Sequence, residues 1–261
     1  MFKNRNTILF SSLSLLLLLT LLLNISMGQV AIPMKEVFRS LFGGNASKET
    51  WEYIIVNFRL PKAITALLVG IGLSISGLLM QTLFRNPLAG PYVLGLSSGS
   101  SLGVAFVILG AGFLPSVFSQ FVLSPYGIII ASCIGSSLVL VMILIVSQRL
   151  RDTMSILIVG LMFSSFTSAI VSVFAYFSSA EQLQKYTFWS MGSIGNLSWQ
   201  NVSMLAICTL LGLVFSLFSL KALDALLLGE NYAKSMGLNI KKARYIIILA
   251  TSILTGSITA F

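Results

Sequence analysis

Long apolar runs alternate with short polar breaks along the chain, and run length, more than periodicity, carries the prediction. Ile8–Ser26 is an uncharged, leucine-rich run of nineteen residues, and Ala63–Leu83 is an uncharged run of twenty-one. At about 1.5 Å per helical residue, each approaches or meets what about 30 Å of hydrocarbon requires. Further runs at Tyr92–Gly110, Tyr126–Ser147, Thr153–Phe177, Gln200–Ser219 and Tyr245–Phe261 bring the predicted spans to seven, and none of the seven contains Asp, Glu, Lys, Arg or His. The pattern predicts an all-α polytopic integral membrane protein with a single transmembrane domain over residues 1–261.

The breaks have their own grammar. Arg85, Asn86 and Pro87, followed by Leu88-Ala89-Gly90-Pro91, predict a tight turn, because each proline fixes its own φ and pushes the preceding residue out of the helical region. Gln29–Phe58, with charges of both signs, predicts a surface segment holding a short helix. Ser178–Gln200 is too polar to cross and too apolar to be a plain loop. In the break at 220–244, Gly229 opens a short helix with Glu230 in its first turn and Lys234 four residues on, and Gly237 can end it. The expectation there is a capped helical stub.

Composition narrows the class. The chain is 56% hydrophobic and 9% charged, with mean hydropathy +0.97, against about 25% charged residues for a soluble domain. The net charge of +9 therefore has to be counted by membrane side. With the N-terminus inside, Lys3, Arg5, Arg85, Arg149, Arg151, Lys221, Lys234, Lys241, Lys242 and Arg244 fall inside, ten against six outside. A signal-peptide reading of the first run is compatible with the flanking Lys3 and Arg5. There is no histidine, which excludes His-based metal sites and Ser-His or Cys-His nucleophiles. Cys133 and Cys208 lie within apolar spans, where packing is the expected role. Gly95-Leu96-Ser97-Ser98-Gly99 matches a nucleophile-elbow pattern, but no histidine could activate the serine and no strand precedes it. The better reading is that Gly95, Gly99 and Gly103 bare one helix face for a close neighbour; Gly70, Ser74 and Gly77, and Gly160, Ser164 and Ser168, are expected to act alike.

Taken together, Arg59-Leu60-Pro61-Lys62, the glycine- and serine-rich run after it, Arg85-Asn86-Pro87-Leu88-Ala89, Leu94-Gly95-Leu96-Ser97-Ser98-Gly99, Trp189-Ser190-Met191-Gly192-Ser193 and Leu228-Gly229-Glu230 resemble, in order and spacing, the FecCD family of permease subunits of ABC importers for iron-siderophore complexes, haem or cobalamin. The resemblance runs from Trp51 to Phe261. It implies a type II importer permease fold of roughly ten helices, of which about seven are present here, so that the chain lacks the C-terminal spans.

The same resemblance implies roles. Leu228, Gly229, Glu230, Ala233, Lys234, Ser235, Gly237 and Leu238 would form the segment that docks on a cytoplasmic ATPase. Arg59 and Lys62 would meet acidic residues of a substrate-binding protein, with Lys62 standing where arginine is more usual. Thr153 and Met154 would narrow the inner mouth of the pathway, with Ser97, Ser98 and Gly160 along it, and Arg85, Asn86 and Pro87 would form a structural turn. The implied partners are a second permease copy or paralogue, an ATPase pair and a periplasmic or lipid-anchored binding protein, in the membrane lipid of a bacterial inner membrane. No nucleic acid is expected as a partner. The chain would bind no cofactor or metal itself and would not be an enzyme; ATP and Mg would be used by the partner. Two other readings stand beside this one: an inert truncated fragment, and an ion-coupled carrier, which the lack of ionisable side chains in the spans disfavours.

Overall fold

The computed structural model describes residues 2–44, 46–110, 124–149, 153–195 and 197–261, and the described chain is helical. Its helices are α1 (Phe2–Ser26), α2 (Met34–Leu41), α3 (Glu49–Phe84), α4 (Leu96–Ile108), α5 (Pro125–Arg149), α6 (Thr153–Phe177), α7 (Ala180–Met191), α8 (Trp199–Leu227), α9 (Glu230–Ser235) and α10 (Ile240–Ala260). Among the described residues six helices are long and apolar enough to cross a membrane.

Three boundaries differ from the sequence expectation. First, α3 begins at Glu49, fourteen residues before the predicted start of its span, and passes through Pro61. Proline lacks a donor, and its ring crowds the carbonyl four residues back. The helix answers with one π-turn over Ile55–Arg59, where the Leu60 amide bonds the Ile55 carbonyl, and then continues. Second, the predicted span 92–110 is broken: a 3-10 turn at Pro91–Leu94 ends at Gly95, whose φ of 72° suits glycine, and α4 has only thirteen residues. That is about 20 Å, short of a bilayer core. Third, the break at 220–244 is largely helix, because α8 runs to Leu227 and α10 starts at Ile240.

The chain forms two compact units. The first, Met1–Leu67 with Ile194–Ser203, contains α1, α2 and the first part of α3. Its core is small: Ile25, Ile32, Val37, Ile55 and Ala63 are buried together. The Trp199 indole donates to the Val56 carbonyl at 3.0 Å, and Ser47 donates from its amide and its hydroxyl to the two oxygens of Glu36. Most of α1 is bare, with Leu13, Leu15, Leu16 and Leu18 each more than half exposed, as suits a helix facing lipid.

The second unit, Leu68–Ser193 with Met204–Phe261, is packed by helix backbones in contact. On α4 and α5 a Cβ added to Gly99 would lie 2.6 Å from the Gly135 carbonyl oxygen, and one added to Gly103 would lie 2.1 Å from that of Ala131. Only glycine permits this approach, and the sequence expectation for Gly99 and Gly103 is met. Gly95 likewise lies against the Gly160 carbonyl and Ser164. The expectation for Gly70 and Gly77 is not met, since both face open space; on that helix the close contact is Gly72, against Ile258 and Leu254 of α10. A large apolar cluster built around Met80, Leu96, Ile143, Ile156, Ile247 and Ile248 fills one end of the unit, and a smaller one around Val104, Ala105 and Ile108 fills the other.

Candidate functional site

The larger cluster supports the site. Its rim carries the 85–90 turn, the start of α6 and the stub α9. The turn is built by its own residues. Arg85 takes a left-handed φ of 48° just past α3, the Asn86 amide bonds the Gln81 carbonyl, and the Asn86 side-chain oxygen accepts from the Leu88 amide at 2.9 Å. The Gln81 side chain donates to the Pro87 carbonyl at 3.0 Å. The asparagine thus replaces a backbone turn bond that proline cannot make.

The stub follows the sequence closely. Gly229 has φ 111° and Gly237 has φ 82°, so α9 starts and stops at glycines. At its end the Gly237 amide bonds the Lys234 carbonyl and the Leu238 amide bonds that of Ala233, and Asn239 then caps α10 by accepting from the Lys242 amide at 3.1 Å. Of α9, Ala233 is buried in the large cluster, while Asn231, Tyr232, Lys234 and Ser235 are exposed. Leu228, Tyr232 and Met236 leave half or more of their surface open around it.

Between the stub, the turn and α6 lies a cavity of about 700 Å³, lined among others by Phe84, Arg85, Met154, Leu228, Glu230 and Tyr232. Three stretches singled out separately in the sequence, the Arg85 turn, the start of α6 and the stub, are therefore brought to one place. Met154 is exposed and lines the cavity. Thr153 is the first residue of α6, and its side chain, like Arg151 and Asp152, lies outside the described residues. Ser97 and Ser98 are half-buried in the first turn of α4 and do not line this cavity; Gly160 is buried against Gly95.

Glu230 lies in the first turn of α9 as expected, and its carboxylate has a partner that the sequence did not name. Its helical neighbour Lys234 is exposed, and the carboxylate turns instead to Arg244 of α10, with Nη2 donating to Oε1 at 2.5 Å. Arg244 is 7% exposed. Sequence reasoning did not mark it as a site residue, although a signal exists: Ile240, Arg244, Ile247 and Ile248 share the buried face of α10, so the arginine stands where a core residue belongs.

The first unit holds the other singled-out pair. Lys62 is exposed, but Arg59 is 7% exposed, pointing inward. Its Nη1 donates to the carbonyls of Ile25 at 2.7 Å and Ser26 at 2.6 Å, and its Nη2 donates to that of Val30. The guanidinium closes the carbonyl end of α1, where helix dipoles favour a cation. The expectation that Arg59 presents its charge to a delivering protein thus meets a buried guanidinium; the surface cation here is Lys62.

A further contact absent from the sequence reading ties α7 to α4. The Ser101 and Tyr186 hydroxyls share a hydrogen bond of 2.5 Å, and the Tyr186 ring lies 6.2 Å from that of Trp189. The helix α7 itself starts with a capping box, Ser179 with Gln182.

The chain is similar to a hemin transport system permease protein of Yersinia pestis, 32% identical over 249 residues that cover 95% of this chain and 72% of the relative. It is also similar to a vitamin B12 import system permease protein of Klebsiella pneumoniae, 33% identical over 245 residues that cover 94% of this chain and 68% of the relative. A solved structure described as "an inward-facing conformation of a putative metal-chelate type ABC transporter" superposes with TM-score 0.80 at 28% identity, covering 98% of this chain and 75% of that one. The chain spans about two thirds of the length of the curated relatives it matches, 65% of one and 72% of another. The FecCD transport family matches residues 16–261, and the chain belongs to that family.

Proposed function

We propose that the chain is the permease subunit of an ATP-driven importer that moves an iron chelate, either a siderophore complex or haem, or cobalamin, from a binding protein across a bacterial inner membrane. One observation carries the reading: a glycine-bounded stub, α9, stands beside a cavity with its own Tyr232, and Leu228 just before it, exposed. Exposed apolar groups on a short, capped helix are what a docking partner would cover. On this reading an ATPase pair grips α9 from the cytoplasm and hydrolyses ATP with Mg, and the permease does no chemistry.

The remaining assignments follow from this. The N-terminus is cytoplasmic, a second copy or paralogue completes the pathway, and Thr153 with Met154 stands at its inner mouth. Lys62, exposed, meets the binding protein, while Arg59 holds the surface that carries it. Substrate choice among these chelates rests largely with the binding protein, because no charged side chain lies within the apolar runs from Ala63 to Leu83 and from Thr153 to Phe177.

The test is capture of a purified partner ATPase by the detergent-extracted chain. Wild type is expected to retain it, and Leu228→Asp with Tyr232→Asp is expected to lose at least roughly tenfold in affinity, the cost of burying charge in an apolar contact. Equal capture by both proteins would overturn the stub as the docking element.

A further inference from the structure

An acidic residue at the first turn of an exposed stub invites the reading that a partner's cation recognises it. The geometry points elsewhere. Glu230 and Arg244 are fourteen positions apart and meet at 2.5 Å, and Arg244 is 7% exposed, beyond a partner's reach. Losing the Glu230 carboxylate would take an ion pair from an enclosed cation, and breaking a buried pair is costly.

We infer that Glu230 serves coupling through Arg244: the pair is a brace that fixes the stub α9 to the first turns of α10, and Arg244 is a positioning residue for the stub. The inference rests on α9 being the docking element. A helix of six residues does not hold itself in water, and Ala233 is the one residue of α9 that is buried. The orientation of α9 is therefore set by that contact, by the turn at Gly237 and Asn239, and by the brace. What α9 would push is well placed to carry a displacement. Of the twenty-one residues of α10, thirteen are buried. Its Gly256 lies against Ser136 of α5, and its Leu254 lies against Gly212 of α8 and Gly72 of α3. Such backbone-close contacts do not compress, so a shift of α10 is passed to three neighbours.

The experiment compares capture of the purified ATPase by wild type, Glu230→Arg, Arg244→Glu and the double exchange. A brace predicts that each single change weakens capture roughly tenfold or more and that the exchange restores it to within about threefold of wild type, because the opposite charges meet again. A cation-reading partner predicts that the exchange stays as weak as Glu230→Arg, and that result overturns the brace. Charge reversal in a buried position can itself disturb folding, so Arg244→Gln, checked for monodispersity, provides a second arm. Reduced capture by a monodisperse Arg244→Gln supports the brace, since the side chain cannot touch a partner. Capture equal to wild type overturns it. Absence of capture by wild type removes the docking reading itself, which separates that failure from failure of the brace.

Discussion

Among the described residues each compact unit encloses one arginine at 7% exposure, and the two are satisfied by different chemistry. Arg59 is held by three backbone carbonyls, two at the end of α1 and one just beyond it, and no carboxylate among the described residues forms an ion pair with it. Arg244 is held by the side-chain carboxylate of Glu230, carried on a stub of six residues. Carbonyls at a helix end cannot change sign or move away alone, so the first arrangement is a fixed clasp. A carboxylate on a short helix can be displaced with that helix, so the second can transmit. Both arginines stand on core faces, at Ile55-Arg59-Ala63 and Ile240-Arg244-Ile247, and each unit has found a different way to accommodate one.

The comparison breaks most readily at Arg59. In Arg59→Glu a negative charge would face three carbonyl oxygens in a buried place, a loss of about 3–5 kcal/mol by analogy with removing one member of a buried pair. The expected outcome is a sharp fall in monodisperse protein and in melting temperature after extraction, whereas Lys62→Glu, at an exposed site, leaves both unchanged. An Arg59→Glu protein that melts like wild type would show that the clasp does not hold the unit and would return Arg59 to the surface role expected from the sequence.

A somewhat smaller effect separates the packing of the second unit from this clasp. Gly135 sits so close to α4 that an added Cβ would lie 2.1 Å from the Gly99 carbonyl oxygen, while Gly77 faces open space. Gly135→Val is expected to cost about 1–3 kcal/mol or more through forced separation of α4 and α5. Gly77→Ala is expected to be neutral or mildly stabilising, by up to about 1 kcal/mol, because alanine favours helix. Thermal melts of the two variants decide it; equal destabilisation would mean that backbone contact is not what packs the unit.

These contrasts also show where the sequence was legible. Run length exposed the long helices, since an uncharged run of about twenty residues has few other uses. The bounds of α9 were legible because Gly229 and Gly237 adopt positive φ, which few other residues tolerate. The start of α3 was hidden: Glu49, Glu52 and Pro61 argue locally against a span, and the π-turn that lets the helix pass leaves no mark in composition. The break at Gly95 was hidden as well, because an apolar run is the same string whether one helix or a turn and a shorter helix carries it. A stripe of small residues gave close packing at Gly99 and Gly103 but not at Gly70 and Gly77, since spacing names a face without naming its neighbour. Neither arginine's partner could be read from nearby sequence: the carbonyls lie 29 to 34 positions from Arg59, and the carboxylate lies 14 from Arg244. Only the core-face position of each cation was there to be seen.

The gentlest test concerns a third anchor, one that titrates. Two hydrogen bonds from Ser47, to opposite oxygens of Glu36, hold the Glu36 carboxyl below its ordinary value of 4.5, with the side-chain bond the larger cause and nearby Arg39 and Lys35 adding to it. A carboxyl whose folded-state pKa is depressed contributes stability above its unfolded value and loses it as pH falls through the folded one. Arginine keeps its charge across this range, so acid separates the Glu36 contact from the Arg59 clasp in the same unit. The melting temperature of Glu36→Gln should therefore lie slightly below wild type at neutral pH, and the gap should close as pH drops below about 4.5. The effect is small because the carboxyl is exposed to water. A gap that stays constant into acid would mean that the Ser47 bonds favour the ionised carboxyl no more than the neutral one, and that Glu36 supports this unit through a contact that does not titrate.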